Sequence, residues 1–172
     1  MVLDIVQIKD AVKALLEREN HIAGNPRDLS QDLSARVKGV FKLHPQRFFI
    51  QGTQLPAVTI YTDRKSISPQ TIATTQLAAK RKSVLTLFVA GVVWNPTMNT
   101  FDTDPADDDC ERLLENVEEI LRSEPQLKDL TDDNVNILWQ MPTGVEYQNF
   151  SFGDEEGHYR VGLMTLDLTV FH

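Results

Sequence analysis

Ser83-Val84-Leu85-Thr86-Leu87-Phe88-Val89-Ala90-Gly91-Val92-Val93-Trp94 is the stretch on which the fold turns. It is apolar at nearly every position and rich in β-branched side chains, so it reads as a strand covered on both faces and therefore central in its sheet. A second clear strand is the C-terminal run, where Gly162, Met164, Leu166, Leu168 and Val170 alternate with Thr165, Asp167 and Thr169. That period of two is the signature of a half-buried antiparallel strand, read here as His158 to Phe171. Ala57-Val58-Thr59-Ile60-Tyr61, entered after Pro56, supplies another strand. Val135 to Gln140 and Val145 to Phe152 are read as two more, the second turning at Gly153-Asp154-Glu155-Glu156-Gly157 into the last.

Two helices interrupt the strands. Ile5, Ile8, Val12, Leu15 and Leu16 recur at steps of three and four, with Lys9, Asp10, Lys13, Glu17 and Arg18 on the other face and Asp4 placed to cap the N-terminus. The second helix is better specified. Asp104 stands at the cap, Pro105 at the first helical position, and Asp107, Asp108 and Asp109 meet the positive dipole end. Cys110, Leu113, Leu114, Val117, Ile120 and Leu121 then form one apolar stripe, Glu111, Glu115, Glu118 and Glu119 form the opposite face, and Pro125 stops the pattern.

These elements predict an α+β fold: an antiparallel sheet of about four to five strands with two main helices packed on one face. Thr62 to Lys82 is polar, basic at both ends and without period, and reads as a long mobile loop between the first and second strands. Residues 20 to 54 read as irregular, with a short helix possible from Leu29 to Lys38 and apolar pieces at Val40-Phe41 and Phe48-Phe49-Ile50. A length of 172 residues, 41% of them hydrophobic and 24% charged, suits one domain spanning residues 1 to 172 and excludes disordered or low-complexity classes.

The net charge is −8, which discourages a protein that grips duplex phosphate. Its distribution is more telling. Asp102 to Glu124 holds ten acids and two bases, while Ala35 to Lys82 holds nine bases against Asp63 alone. The basic residues at the two ends of the long loop are Arg64, Lys65, Lys80, Arg81 and Lys82. Two readings of them stay open: a solvated loop that keeps the strand ends soluble, or a surface that meets acid on another chain. The loop has no aromatic residue between Thr62 and Lys82, which removes the stacking platform that single-stranded nucleic acid needs.

Catalytic and metal chemistry finds little foothold. The acidic run Asp102 to Asp109 fails the EF-hand pattern, since Ala106 takes the third ligand position, Asp107 the glycine position and Leu113 the bidentate glutamate position. His21, His44, His158 and His172 are scattered without metal spacing. Cys110 lies on an apolar stripe, as an inert thiol would. No GxSxG, GxxxxGK[ST] or GxGxxG motif occurs. The expectation is no cofactor, no metal and no enzyme activity. The N-terminus lacks a secretory pattern and no apolar stretch approaches the ~18 residues of a membrane span, which predicts cytoplasmic synthesis and no membrane partner. Met98 and Phe101 are expected to pack under the acidic helix, and Trp139, Tyr147, Phe150, Phe152 and Tyr159 to be core and sheet-face residues.

In this order of elements the chain resembles the tail terminator (tail completion) proteins of long-tailed bacteriophages. The resemblance rests on the helix Ile5 to Arg18, the strand entry Leu55-Pro56-Ala57-Val58, the polar connection to Val84 to Trp94, the acidic helix around Cys110-Glu111-Arg112-Leu113-Leu114-Glu115, and the C-terminal Arg160 to Val170. It is architectural, covers about three quarters of the chain, and leaves Asn20 to Thr53 unmatched. It implies a structural virion protein at the head-proximal end of the tail, assembled in the host cytoplasm. Such a protein is monomeric in isolation and forms a hexameric ring on the last ring of the tail tube, stopping polymerisation and presenting the surface for head attachment. Its partners would be itself, the major tail-tube protein and a head-connector or neck protein. Arg64, Lys65, Lys80, Arg81 and Lys82 would then contact Glu111, Glu115, Glu118 and Glu119 of a neighbour, or the tube. Competing readings are another ring-forming neck or baseplate protein and, less favoured by the residues, a small nucleic-acid-binding protein.

Overall fold

The computed structural model describes residues 4–20, 28–44, 55–68, 82–95, 105–127, 136–150 and 158–171. Their elements follow the order α1 (Ile5–Arg18), β1 (Gly39–Phe41), β2 (Ala57–Ser68), β3 (Lys82–Asn95), α2 (Pro105–Ser123), β4 (Asn136–Phe150) and β5 (His158–Phe171). One five-stranded sheet runs β1-β2-β3-β5-β4, with only the β1–β2 pair parallel. The central strand β3 pairs along its whole length with β5, from Lys82 opposite Phe171 to Asn95 opposite His158. This is the expected α+β architecture, with α1 against β1 and β2, α2 against β3, β5 and β4, and the helices touching each other.

The register explains the layers. Leu85, Leu87 and Val89 on β3 stand opposite Leu168, Leu166 and Met164 on β5, and all are buried under the helices with Ile8, Leu15, Leu16, Leu113, Leu114, Val117 and Ile120. The intervening residues point to the other face, where Ala57, Ala90, Val92, Tyr159 and Val161 form a second, smaller cluster with Phe41, Leu43 and Trp94. Farther along that face the residues turn polar, and the Thr86 hydroxyl donates to the Asp167 carboxylate across the β3–β5 pair at 2.7 Å.

Two glycines set how closely α2 approaches. Gly91 and Gly162 are cross-strand partners under the helix. A Cβ on Gly162 would lie 2.3 Å from Leu114 Cδ1, and one on Gly91 would lie 3.0 Å from Leu113 Cδ2. The bare backbone therefore accommodates the two leucines that anchor α2, whose full burial is worth roughly 1.5–3 kcal/mol each.

α1 starts as expected, with the Asp4 carboxylate accepting from the Val6 and Gln7 amides at 2.9 and 3.2 Å. Four expectations need correction. The long loop of 62–82 is shorter, because β2 continues to Ser68 and β3 begins at Lys82. A register shift between Thr62 and Arg64 breaks the period-two pattern there, which hides a strand whose backbone still pairs with β3. The remaining connection, 69–81, lies outside the described residues. Leu29 to Lys38 is not helical but a set of turns, with Asp32 at φ 57° and the Ser30 amide held by the Asp28 carboxylate. Val40-Phe41, placed in an irregular segment, belongs to β1 and pairs with Val58 and Thr59. Finally, the two strands expected at 135–140 and 145–152 are one, β4, since Pro142-Thr143-Gly144 passes through a register shift in an edge strand instead of ending it. The Asp104 cap, Met98, Phe101, Phe152 and the 153–157 turn lie outside the described residues.

Candidate functional site

α2 has three sides with different work. Its inner side carries the apolar stripe, including Cys110, which is fully buried with its thiol 3.8 Å from the Gly91 carbonyl. Burial pushes the Cys110 thiol from 9.0 up to about 12, with Arg160 and the Gly162 backbone pulling the other way, so it stays protonated and unreactive at neutral pH.

One flank clasps the 28–37 segment. The Asp109 carboxylate accepts from both the amide and the hydroxyl of Ser34 at 3.1 Å, Arg112 donates to the Asp32 carbonyl at 3.2 Å, and the Asn116 amide donates to the carbonyls of Leu29 and Gln31 at 3.2 and 2.9 Å. The same segment is fixed to the end of α1 by buried Asn20, which donates to the Val37 carbonyl at 3.1 Å and accepts from the Ser30 hydroxyl at 2.8 Å. Asp109, expected as a dipole-matching acid of the first turn, is thus 8% exposed and serves as a tertiary clamp.

The other flank faces β4. Asp107 pairs with Arg160 of β5 at 2.6 Å, and the Arg160 guanidinium sits 5.4 Å from the Tyr147 ring centroid. Tyr147 itself lies against Gly162, where a Cβ would come within 3.0 Å of its ring, yet remains 36% exposed. Partial burial raises the Tyr147 pKa, helped by the nearby Cys110, Glu111 and Glu115 in that order, and opposed by Arg160.

Of the residues singled out in the sequence, Glu111, Glu115 and Glu119 are exposed on α2, and Glu118 is half-buried and bonded to Arg122 at 2.6 Å. Glu115 and Glu119 border an open depression together with Gln31, Asp32, Arg112 and Asn116. The helix brings the four glutamates together. Arg64 and Lys65 belong to β2, with Arg64 in register with Thr86 and Lys65 with Leu85, and Lys82 opens β3 opposite Ser68. Lys80 and Arg81 lie outside the described residues. Lys65, the one base of the set whose side chain is described, forms no ion pair with these glutamates. Tyr159 is buried and Tyr147 lies on the sheet face against Gly162, as expected of core and sheet-face residues. The described residues contain no group of three or more histidine, cysteine or carboxylate side chains able to hold a metal ion.

No family model matches the chain, and no curated protein matches it. Among solved structures it is similar to a chain of the virion of a native gene transfer agent particle, at 8% identity and a TM-score of 0.49 over 98% of this chain and 100% of that one.

Proposed function

We propose that the chain is a single-domain structural assembly protein of a tailed virion, and specifically a tail terminator: a ring on the end of the tail tube that stops its polymerisation and offers the surface for head attachment. The observation that carries this reading is the location of its charge. Exposed Glu111, Glu115 and Glu119 stand on α2 while Arg64, Lys65 and Lys82 belong to β2 and β3, so acid and base are carried by separate elements, as complementary contacts between molecules require. The order of elements, with a helix, a strand, a central strand, an acidic helix and a C-terminal strand, also supports the resemblance to tail terminators. In this role the partners are further copies of the chain, the tail-tube protein and a neck protein, and no cofactor or catalytic step is involved.

Electron microscopy of tails assembled with and without the protein tests it. Over-long tubes, or tails that never join heads, are expected without it; normal tails in its absence would refute the role. Exchanging Lys80 and Arg81 for Glu should weaken ring assembly while leaving the fold intact, and unchanged assembly at low salt would remove the electrostatic part of the proposal.

A further inference from the structure

The segment 28–41 is fixed to the rest of the fold largely through polar bonds, and most of them take its main chain. On α2, Asp109, Arg112 and Asn116 stand on one flank and meet Ser34, Asp32 and then Gln31 with Leu29, so the segment runs antiparallel to the helix. Apart from the Ser34 hydroxyl, what these side chains hold is backbone amide or carbonyl. At the segment's other end the Lys38 amide donates to the Pro56 carbonyl at 2.7 Å, and β1 adds a parallel ladder of three residues to β2. The buried apolar anchors are Leu29, Val37 and Val40, while Gln31, Asp32, Ser34, Ala35, Arg36 and Lys38 are exposed.

The rest of the sheet is built without this segment. β2 pairs with β3 and β3 with β5, and α2 packs on β3, β5 and β4. Closure also carries a penalty. Phe41 of β1 stands in register with Thr59 of β2, whose side chain is fully buried and whose hydroxyl has no hydrogen-bond partner among the described residues. Such an orphaned group regains water only when its cover lifts. A short parallel ladder, bonds from side chain to main chain at the surface and a buried orphan mark a unit that opens below the free energy of global unfolding.

We propose that residues 28–41 form a detachable guard. They lift as one unit while α1, α2 and β2 to β5 stay folded, baring the main-chain edge of Ala57–Thr59 and the Asp109, Arg112 and Asn116 flank that reads peptide backbone. In the closed state the segment itself occupies both, which keeps an unpaired strand edge away from other chains. This inference is independent of the tail-assembly reading.

Thiol labelling in native buffer tests it, with the chain's single cysteine as the reference. Cys110 is fully buried on the inner side of α2 and reports global opening, and Val37→Cys places a second thiol under the guard. In the full-length Val37→Cys chain, labelling is followed by peptide-resolved mass spectrometry and normalised to the unfolded chain. Position 37 should be modified at least about tenfold faster than Cys110, at a rate nearly flat in low urea where that of Cys110 climbs. Adding Leu114→Ala, or Gly162→Ala should the first fail to fold, should speed Cys110 at least about fivefold and leave position 37 within about twofold, because both act where α2 meets β5. Asp109→Ala should speed position 37 by about twofold to tenfold, and Thr59→Val, which removes the orphaned hydroxyl, should slow it by about threefold. Equal rates and equal urea dependence at the two thiols, or equal acceleration of both by Leu114→Ala or Gly162→Ala, would mean that the segment opens only with the whole fold and would overturn the proposal. So would a position 37 that ignores Asp109→Ala or labels faster after Thr59→Val.

Discussion

The inner and outer sides of α2 are made of the same nineteen residues and have opposite physical characters. Inside, Leu113, Leu114, Val117, Ile120 and Leu121 are 0–1% exposed and set on a sheet whose glycines were left bare to receive them. Outside, Glu111, Glu115 and Glu119 touch water. The inner side holds the fold, so almost any change there is felt; the outer side contributes little to stability and is free to be shaped by a partner.

The sharpest way to break this contrast is at the tightest contact. Leu114→Ala should cost about 2–5 kcal/mol in urea unfolding. Gly162→Ala, which forces a Cβ into Leu114, should cost about 1–3 kcal/mol. The double variant should be more stable than the sum of the two losses, because the new methyl occupies space the leucine vacates; strict additivity would show that the two residues do not share that space.

Cys110 offers a chemical version of the same probe. Its thiol is held near 12 in the fold against 9.0 ordinarily, so its contribution is complete below pH 9. Between those values the unfolded chain loses the proton and the folded one keeps it, and stability should fall with rising pH by on the order of 1.4 kcal/mol per unit. Cys110→Ala, although less stable at pH 7, should show a shallower decline in its unfolding midpoint across pH 9 to 11.

A smaller effect belongs to the clamp flank. Asp109→Ala removes the carboxylate that holds the Ser34 amide and hydroxyl and should cost about 0.5–1.5 kcal/mol, with amide exchange accelerating first in residues 29–37 and not in β3. Smallest of all, Glu111→Lys and Glu115→Lys should change stability by no more than about 0.5 kcal/mol. A loss of several kcal/mol there would mean that the outer side is structural after all, and would remove its availability for docking.

Much of this was legible beforehand because it rests on short-range pattern. The stripe of α2, the Asp4 cap, the uninterrupted apolar run of β3 and the alternation of β5 each follow from a period visible within a dozen residues. What the pattern missed arises where period fails. One residue of register shift on β2 and two shifts on β4 disguised the strands, and β1 is three residues long and exists only because β2 lies beside it. The Tyr147 corner depends on Gly162, Arg160 and Asp107 converging from β5 and α2, which no local spacing announces. The glycine within a strand was the available signal, since it marks a place where something comes close.

The edge strand β4 carries Pro142 and two register shifts, and its exposed side chains include Glu146 and Gln148. An edge interrupted in this way is a poor template for another strand, so crowded copies are kept from zipping together through their backbones into aggregates. Contact along this margin is left to side chains. A surface that speaks through side chains can be retuned one substitution at a time, which gives a partner's drift somewhere to be answered without disturbing the sheet beneath.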